Sequence, residues 1–302
     1  MSSKIMKGFE KMKFTGIMPA IVTPLNYDET INTGALAKLM SYLISKGADG
    51  FYVGGATGEG IALKTENRFV LAESAVKASA GKPCIIQIAA SDFSDAIELA
   101  KQAERVGASA ISATPPMFFS YDADDVYNYY KALANAVHIP LMIYYNPAAG
   151  FNMNASFAAR AFEVDNITAI KWTSSNYYEM MRLKDLTNGE MNIINGPDEM
   201  LLMGLAAGAD GGIGTTYNIL MDSIRSIYDN FVSGDIDAAR AAQYRTNRII
   251  GVLMNTKLIP ATKVMLESMG FDVGNATFPM KRYTEEEKSK IINDVKSAGF
   301  AY

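Results

Sequence analysis

The chain has one cysteine, one histidine and one tryptophan among 302 residues. A lone Cys84 excludes an intrachain disulfide, and its setting in Cys84-Ile85-Ile86 reads as a small core residue. Such thin cysteine usage suits a reducing cytoplasm, which is the expected location. A lone histidine excludes a multi-histidine or His-Cys metal centre and weakens any Ser-His-Asp arrangement. It is His138, directly before Ile139-Pro140 at the start of a β-rich run, so its expected role is structural. Charge is sparse as well, with a formal net of -4 and no long basic run. Nucleic acid is therefore not an expected partner. No apolar stretch is long enough to span a bilayer, so no membrane partner is expected. Met1 to Met12 lack the apolar centre of a signal peptide and are expected to form a loose extension.

What is present is core-forming material. Hydrophobic residues make up 49% of the chain, enough for two ordinary domains or one α/β barrel. Short β-rich runs recur at Ile17 to Thr23, Gly50 to Gly54, Cys84 to Ala89 and Ala108 to Ala113. Further runs follow at Pro140 to Tyr145, Ile167 to Thr173, Asn192 to Asn195 and Gly208 to Gly214. Amphipathic segments separate them, such as Asp92 to Val106, Ala155 to Phe162 and Glu199 to Ala207. Eight alternations of strand and helix predict a (β/α)8 TIM barrel. The expected division is an extension over 1–12, a barrel over 13–232 and a C-terminal helical extension of about three helices over 233–302.

Active sites of such barrels lie at the C-terminal ends of the strands. Lys171 ends the sixth run, inside Ile167-Thr168-Ala169-Ile170-Lys171-Trp172-Thr173. An amine that loses hydration in an apolar interior gives up its proton more readily, and an unprotonated amine attacks a ketone to form a Schiff base. Snorkelling from a strand end is the bland alternative. Thr173, two residues on, is expected to share its face. Tyr144 ends the fifth run, where a phenol relays protons or simply fills the core.

After the second run, Gly54-Gly55-Ala56-Thr57-Gly58-Glu59-Gly60 permits a tight turn with exposed N–H groups, a nest for a carboxylate. It lacks the Gly-Lys-Ser/Thr of a phosphate loop and the spacing of a dinucleotide fingerprint. Asp198 and Glu199 follow the seventh run, placed either to favour a helix dipole or to accept hydrogen bonds from a polyhydroxylated substrate. Gly211 to Asn218 follows the eighth with glycines and hydroxyls. A lysine nucleophile, a phenol, an anion nest and a hydroxyl-rich rim are the equipment of a Schiff-base aldolase acting on a 2-oxo acid.

The chain resembles the N-acetylneuraminate lyase and dihydrodipicolinate synthase superfamily from about Phe14 to its last helix. The motifs are Gly55-Ala56-Thr57-Gly58-Glu59, Tyr144 ahead of Pro147, and Lys171. Within the superfamily it is most similar to the sialic acid lyases, through Lys171 to Tyr178, Asn195 to Glu199 and Gly211 to Asn218. The resemblance implies that Lys171 forms the imine and that Tyr144 moves protons. It implies that Ala56 and Thr57 hold the pyruvate carboxylate, and that Thr173, Gly196, Asp198, Glu199 and Thr215 contact the sugar-derived part. It implies a homotetramer and small-molecule partners, pyruvate and a sugar acid, with no cofactor and no metal.

The departures from the family pattern are Ala56 in place of a serine or threonine, and Pro116-Met117-Phe118-Phe119 where a tyrosine is usual. Tyr145 or Tyr121 are the candidate substitutes. The segment Pro147 to Gly150 lacks the arginine usual in synthases. Two alternatives stand beside the sialic acid lyase: another pyruvate-dependent aldolase, dehydratase or synthase of the superfamily, and a catalytically silent sensor of a 2-oxo acid or sugar.

Overall fold

The structure, a computed structural model, describes residues 13–301. The expected N-terminal extension lies outside the described residues. Eight parallel strands form the centre: β1 (Gly16–Pro19), β2 (Phe51–Val53), β3 (Cys84–Gln87), β4 (Ala110–Ala113), β5 (Leu141–Tyr145), β6 (Ile167–Trp172), β7 (Asn192–Asn195) and β8 (Gly211–Gly214). Each pairs with its sequence neighbour from β2 to β8, and β8 pairs with β1. A bridge between Ala20 and Tyr52 closes the ring. The barrel expected from the alternation of runs is therefore the fold.

The helices outside the ring are α1 (Thr33–Ser45), α2 (Thr65–Ala78), α3 (Phe93–Arg105), α4 (Ala123–Asn135), α5 (Ala155–Phe162), α6 (Tyr177–Leu186), α7 (Leu201–Ala206) and α8 (Tyr217–Val232). Three more follow, α9 (Ile236–Met254), α10 (Leu258–Ser268) and α11 (Glu285–Ser297). Local sequence sets several starts. Asp122 and Asp125 form a reciprocal capping box at α4, and Thr284 and Glu287 form another at α11. No single helix among the described residues is long and apolar enough to cross a membrane.

Alternation sorts each strand into two faces. Ile111, Ile143, Ile170 and Trp172 pack outward against the helices. Met18, Tyr52, Ile85, Met142, Tyr144, Ala169, Ile194 and Ile213 fill the barrel interior. Trp172 is fully buried and meets Tyr145 edge to face at 4.7 Å. Burying one such large apolar side chain stabilises the fold by about 1.5–3 kcal/mol. Cys84 is buried as expected, and burial pushes its thiol up to about 12, which leaves it unreactive.

Three details differ from the sequence expectation. β1 stops at Pro19, because the next residues bond to different partners in turn. Ala20 N donates to Gly214 O, Ile21 N to Tyr52 O, and Val22 N to Asn218 Oδ1. β8 begins at Gly211 and not at Gly208, since Gly208 turns through φ +97 after α7. The expected helix from Glu199 to Ala207 is a short 3-10 turn, Asp198–Met200, followed by α7.

Candidate active site

The register places Tyr144 of β5, Lys171 of β6 and Ile194 of β7 side by side on the inward face at the C-terminal ends of their strands. Lys171 is 6% exposed. Its Nζ lies 4.2 Å from the centre of the Tyr144 ring and 4.8 Å from that of Tyr52. The two rings meet edge to face at 5.9 Å. Aromatic ring faces attract a positively charged nitrogen.

Above this group opens a cavity of about 610 Å³. Ala56, Thr57, Tyr144, Lys171, Thr173, Gly196 and Thr215 all line it. Seven of the nine residues expected at the site thus surround one space. The other two, Asp198 and Glu199, are not among its lining residues.

The loop after β2 supplies the nest. Gly54 turns at φ +70, and Gly60 approaches it so closely that a Cβ there would meet Gly54 O at 1.9 Å. Among the described residues the amides of Ala56 and Thr57 donate to no protein group, which leaves both for an anion. Thr57 Oγ1 and Thr215 Oγ1 share a hydrogen bond of 2.7 Å across the cavity floor. Thr173 carries a buried hydroxyl with no protein partner, beside Gly196, where a Cβ would meet Thr173 Oγ1 at 2.0 Å. Such an orphaned hydroxyl against a cavity is a ready contact for a polar ligand.

Asp198 and Glu199 both stand in the first turn of the 3-10 segment, as the helix-dipole account expects, but Asp198 makes no side-chain cap there. Its Oδ2 accepts from Thr216 N and Thr216 Oγ1, both at 2.7 Å, at the start of α8. Gly214 makes room for the carboxyl, because a Cβ there would meet Asp198 Oδ1 at 2.1 Å. Burial pushes Asp198 up to about 6, against the lowering effect of the Thr216 bonds and of Lys171. Glu199 is half-buried, and its backbone carbonyl is fixed by Asn247 Nδ2. Thr216, Tyr217 and Asn218 are buried and do not line the cavity, so the expected hydroxyl rim reduces to Thr215.

Alternation settles the choice between neighbouring tyrosines. Tyr144 faces inward, whereas Tyr145 packs on Trp172 and donates its hydroxyl to Asn152 Oδ1 at 2.9 Å. Phe118 and Phe119 are exposed, stack on one another and continue to Tyr121. None of Tyr145, Phe118, Phe119 or Tyr121 lines the cavity. His138 lies on the opposite, N-terminal side of β5, where its ring meets Glu104.

Sequence reasoning missed three contributions. Tyr52 sits in the barrel beside the amine and donates to Ser112 Oγ at 3.0 Å. Burial drives its phenol well above the ordinary tyrosine value, so it stays neutral and serves by its ring. The alternation of Phe51-Tyr52-Val53 carried that signal. The outer cavity wall comes from the C-terminal extension, through Lys257, Leu258, Ile259, Pro260, Pro279, Met280 and Lys281. Finally, Glu59 of the nest motif is not at the cavity. It forms a buried ion pair with Lys263 of α10 at 2.8 Å and accepts from Thr277 N. Nothing local in the sequence connects these distant positions.

Comparison with known proteins matches this geometry. The model of the Dihydrodipicolinate synthetase family covers residues 13–298. The chain is 33% identical to the N-acetylneuraminate lyase of Rhizobium meliloti (strain 1021), over 93% of this chain and 94% of that protein. It is 28% identical to 4-hydroxy-tetrahydrodipicolinate synthase 1 of Halalkalibacterium halodurans, over 93% and 96%. The solved structure of Proteus mirabilis N-acetylneuraminate lyase superposes with a TM-score of 0.91 at 31% identity, covering 96% of this chain and 100% of that one. With the match extending across barrel, nest and roof alike, the chain belongs to the dihydrodipicolinate synthetase family.

Proposed function

We propose that this protein is a Schiff-base aldolase that cleaves N-acetylneuraminate reversibly to N-acetylmannosamine and pyruvate. The broader statement, a carbon–carbon lyase of the family, rests on the named relatives and on the buried amine at the cavity floor. The observation that carries the reading is Lys171 Nζ, held between Tyr52 and Tyr144 beneath a cavity with an unoccupied pair of amides opposite.

The steps follow from these groups. The Lys171 amine attacks the ketone carbon of the open-chain sugar acid, and the carbinolamine loses water to give an iminium. The amides of Ala56 and Thr57, with the Thr57 hydroxyl, hold the adjacent carboxylate. Removal of the C4 hydroxyl proton breaks the C3–C4 bond, and the electron pair moves into the iminium as an enamine. N-Acetylmannosamine leaves as the aldehyde. Tyr144 is the group placed to move protons in these steps. Protonation of the enamine at C3 and hydrolysis by water release pyruvate and restore the amine. Thr173, Gly196, Asp198, Glu199 and Thr215 contact the sugar-derived part, and the working assembly is a homotetramer. The iminium is the electron sink, so this route uses no cofactor.

A second reading is a different aldehyde with the same pyruvate chemistry, favoured by Ala56 and by the outward placement of Phe118 and Phe119. The synthase reading is weaker, because the 3-10 turn Pro147–Ala149 after β5 carries no arginine. The test is incubation with pyruvate and borohydride followed by peptide mapping, with pyruvate release assayed from N-acetylneuraminate. A reduced adduct on Lys171 together with pyruvate release supports the proposal. An intact protein without adduct overturns the imine, and an adduct without release from this sugar moves the second reading first.

A further inference from the structure

The cavity lining holds three lysines, Lys171, Lys257 and Lys281, and no carboxylate among the described residues. One anion is accounted for, since a substrate carboxylate goes to the Ala56 and Thr57 amides at the inner end. Lys257 and Lys281 stand on the outer wall, supplied by the C-terminal extension. Tyr283 meets the backbone of the first and the side chain of the second. Its hydroxyl accepts from Lys257 N at 3.0 Å, and its ring centre lies 5.2 Å from Lys281 Nζ.

The two differ in balance. Lys281 is paired with Glu287 at 2.6 Å. Lys257 is exposed at the cavity mouth, and no ion pair forms with its ammonium among the described residues. Around it the wall is apolar, formed by Leu258, Ile259, Pro260, Pro279 and Met280. An unpaired cation beside low-dielectric walls raises the local concentration of anions and favours their binding.

We propose that Lys257, backed by Lys281, forms a distal anion subsite for a second negative group, a terminal phosphate or carboxylate, on the sugar-derived end of the substrate. This rests on the Lys171 aldolase reading for the placement of the first carboxylate. It extends that reading from a singly charged sugar acid to a doubly anionic one. A charge-assisted hydrogen bond in such a site is worth about tenfold or more in kcat/KM.

The test compares addition of pyruvate to N-acetylmannosamine, to its 6-phosphate and to the corresponding 6-carboxylate, in wild type, Lys257→Ala and Lys257→Glu. Wild type is expected to favour at least one anionic aldehyde by about tenfold at low salt, with the preference shrinking as salt rises. The better of the two anions identifies the group. Lys257→Ala is expected to lose about tenfold of the preference, and Lys257→Glu to reverse it. Equal rates for neutral and anionic aldehydes in wild type, or a preference untouched by Lys257→Glu, overturn the subsite. Borohydride trapping with pyruvate separates the two readings. An adduct on Lys171 with no anion preference removes the subsite and leaves the aldolase standing. If no adduct forms, the aldolase reading falls and calorimetry decides the subsite. N-Acetylmannosamine 6-phosphate binding wild type more tightly than Lys257→Glu supports it, and equal binding overturns it.

Discussion

Lys171 Nζ lies 4.8 Å from the Tyr52 ring centre and 4.2 Å from that of Tyr144, and the two rings meet each other edge to face at 5.9 Å, so separate parts of the barrel bring two adjoining aromatic faces to one amine. A ring quadrupole favours a positively charged nitrogen by about 0.5–2 kcal/mol. The iminium is such a nitrogen. Tyr52→Phe keeps the ring and loses only the Ser112 bond, so borohydride trapping is expected within about threefold of wild type. Tyr52→Leu removes the ring, and trapping is expected to fall about tenfold. Equal trapping in both variants, each folded by circular dichroism, would reduce Tyr52 to a core residue.

Lys171→Ala removes the nucleophile and is expected to abolish the adduct and lower turnover by at least about a thousandfold. Tyr144→Phe keeps the packing and removes the hydroxyl. Its expected cost is about 10²–10⁴-fold in kcat, the range of general acid–base catalysis, with smaller change in KM. Steady-state kinetics with N-acetylneuraminate check both. A Tyr144→Phe enzyme of normal kcat would take the phenol out of the mechanism.

The Glu59–Lys263 pair is almost fully buried, and burial lowers Lys263 below the usual lysine range. Removing one partner leaves a charge alone in the interior, and Lys263→Met is expected to destabilise the protein by about 3–5 kcal/mol. The double variant Glu59→Gln with Lys263→Met is expected to recover part of that loss, because no uncompensated charge remains. Denaturant melts of the three proteins measure it. A double variant less stable than the single one would refute the account.

Asp198 gives a pH prediction. Its value rises from 3.8 to about 6 on folding, so the folded state favours the protonated form. The stabilisation is fully present below about 3.8 and is lost as pH rises through about 6. Asp198→Asn keeps an acceptor for Thr216 and stays neutral. Relative to wild type, its stability is expected to rise between pH 4 and pH 8 by up to on the order of 3 kcal/mol. Melting temperatures at several pH values read this directly, and a flat difference would show that the carboxyl is not destabilised when charged.

The ring of strands and the amine on β6 were legible because each depends on local pattern. Eight apolar runs at regular spacing leave few architectures, and a lysine ending one of them is conspicuous. The sequence favoured Tyr144 over Tyr145 on its spacing from Pro140 and Pro147, and the structure adds that Tyr144 is the one on the inward face of β5. Asp198 was visible as a carboxylate, but its partner Thr216 arrives from the next βα unit. Lys257 and Lys281 carried no signal in the sequence, since it does not say which part of the extension folds over the barrel mouth. The boundary of β1 shifted for the same reason, since its end is fixed by bonds to elements far along the chain, whereas that of β8 shifted because Gly208 turns locally after α7.

The wall formed by residues 257–281 has a consequence for how this protein can change. The amine and its two rings sit on β2, β5 and β6, whereas the outer wall at residues 257–260 and 279–281 comes from a stretch that contributes no strand to the ring. The floor of the cavity and its outer wall are therefore written in different parts of the gene product. Exchanging those residues for others, with Lys263 kept to answer Glu59, should reshape the outer wall while the amine, its two rings and the nest after β2 remain as they are.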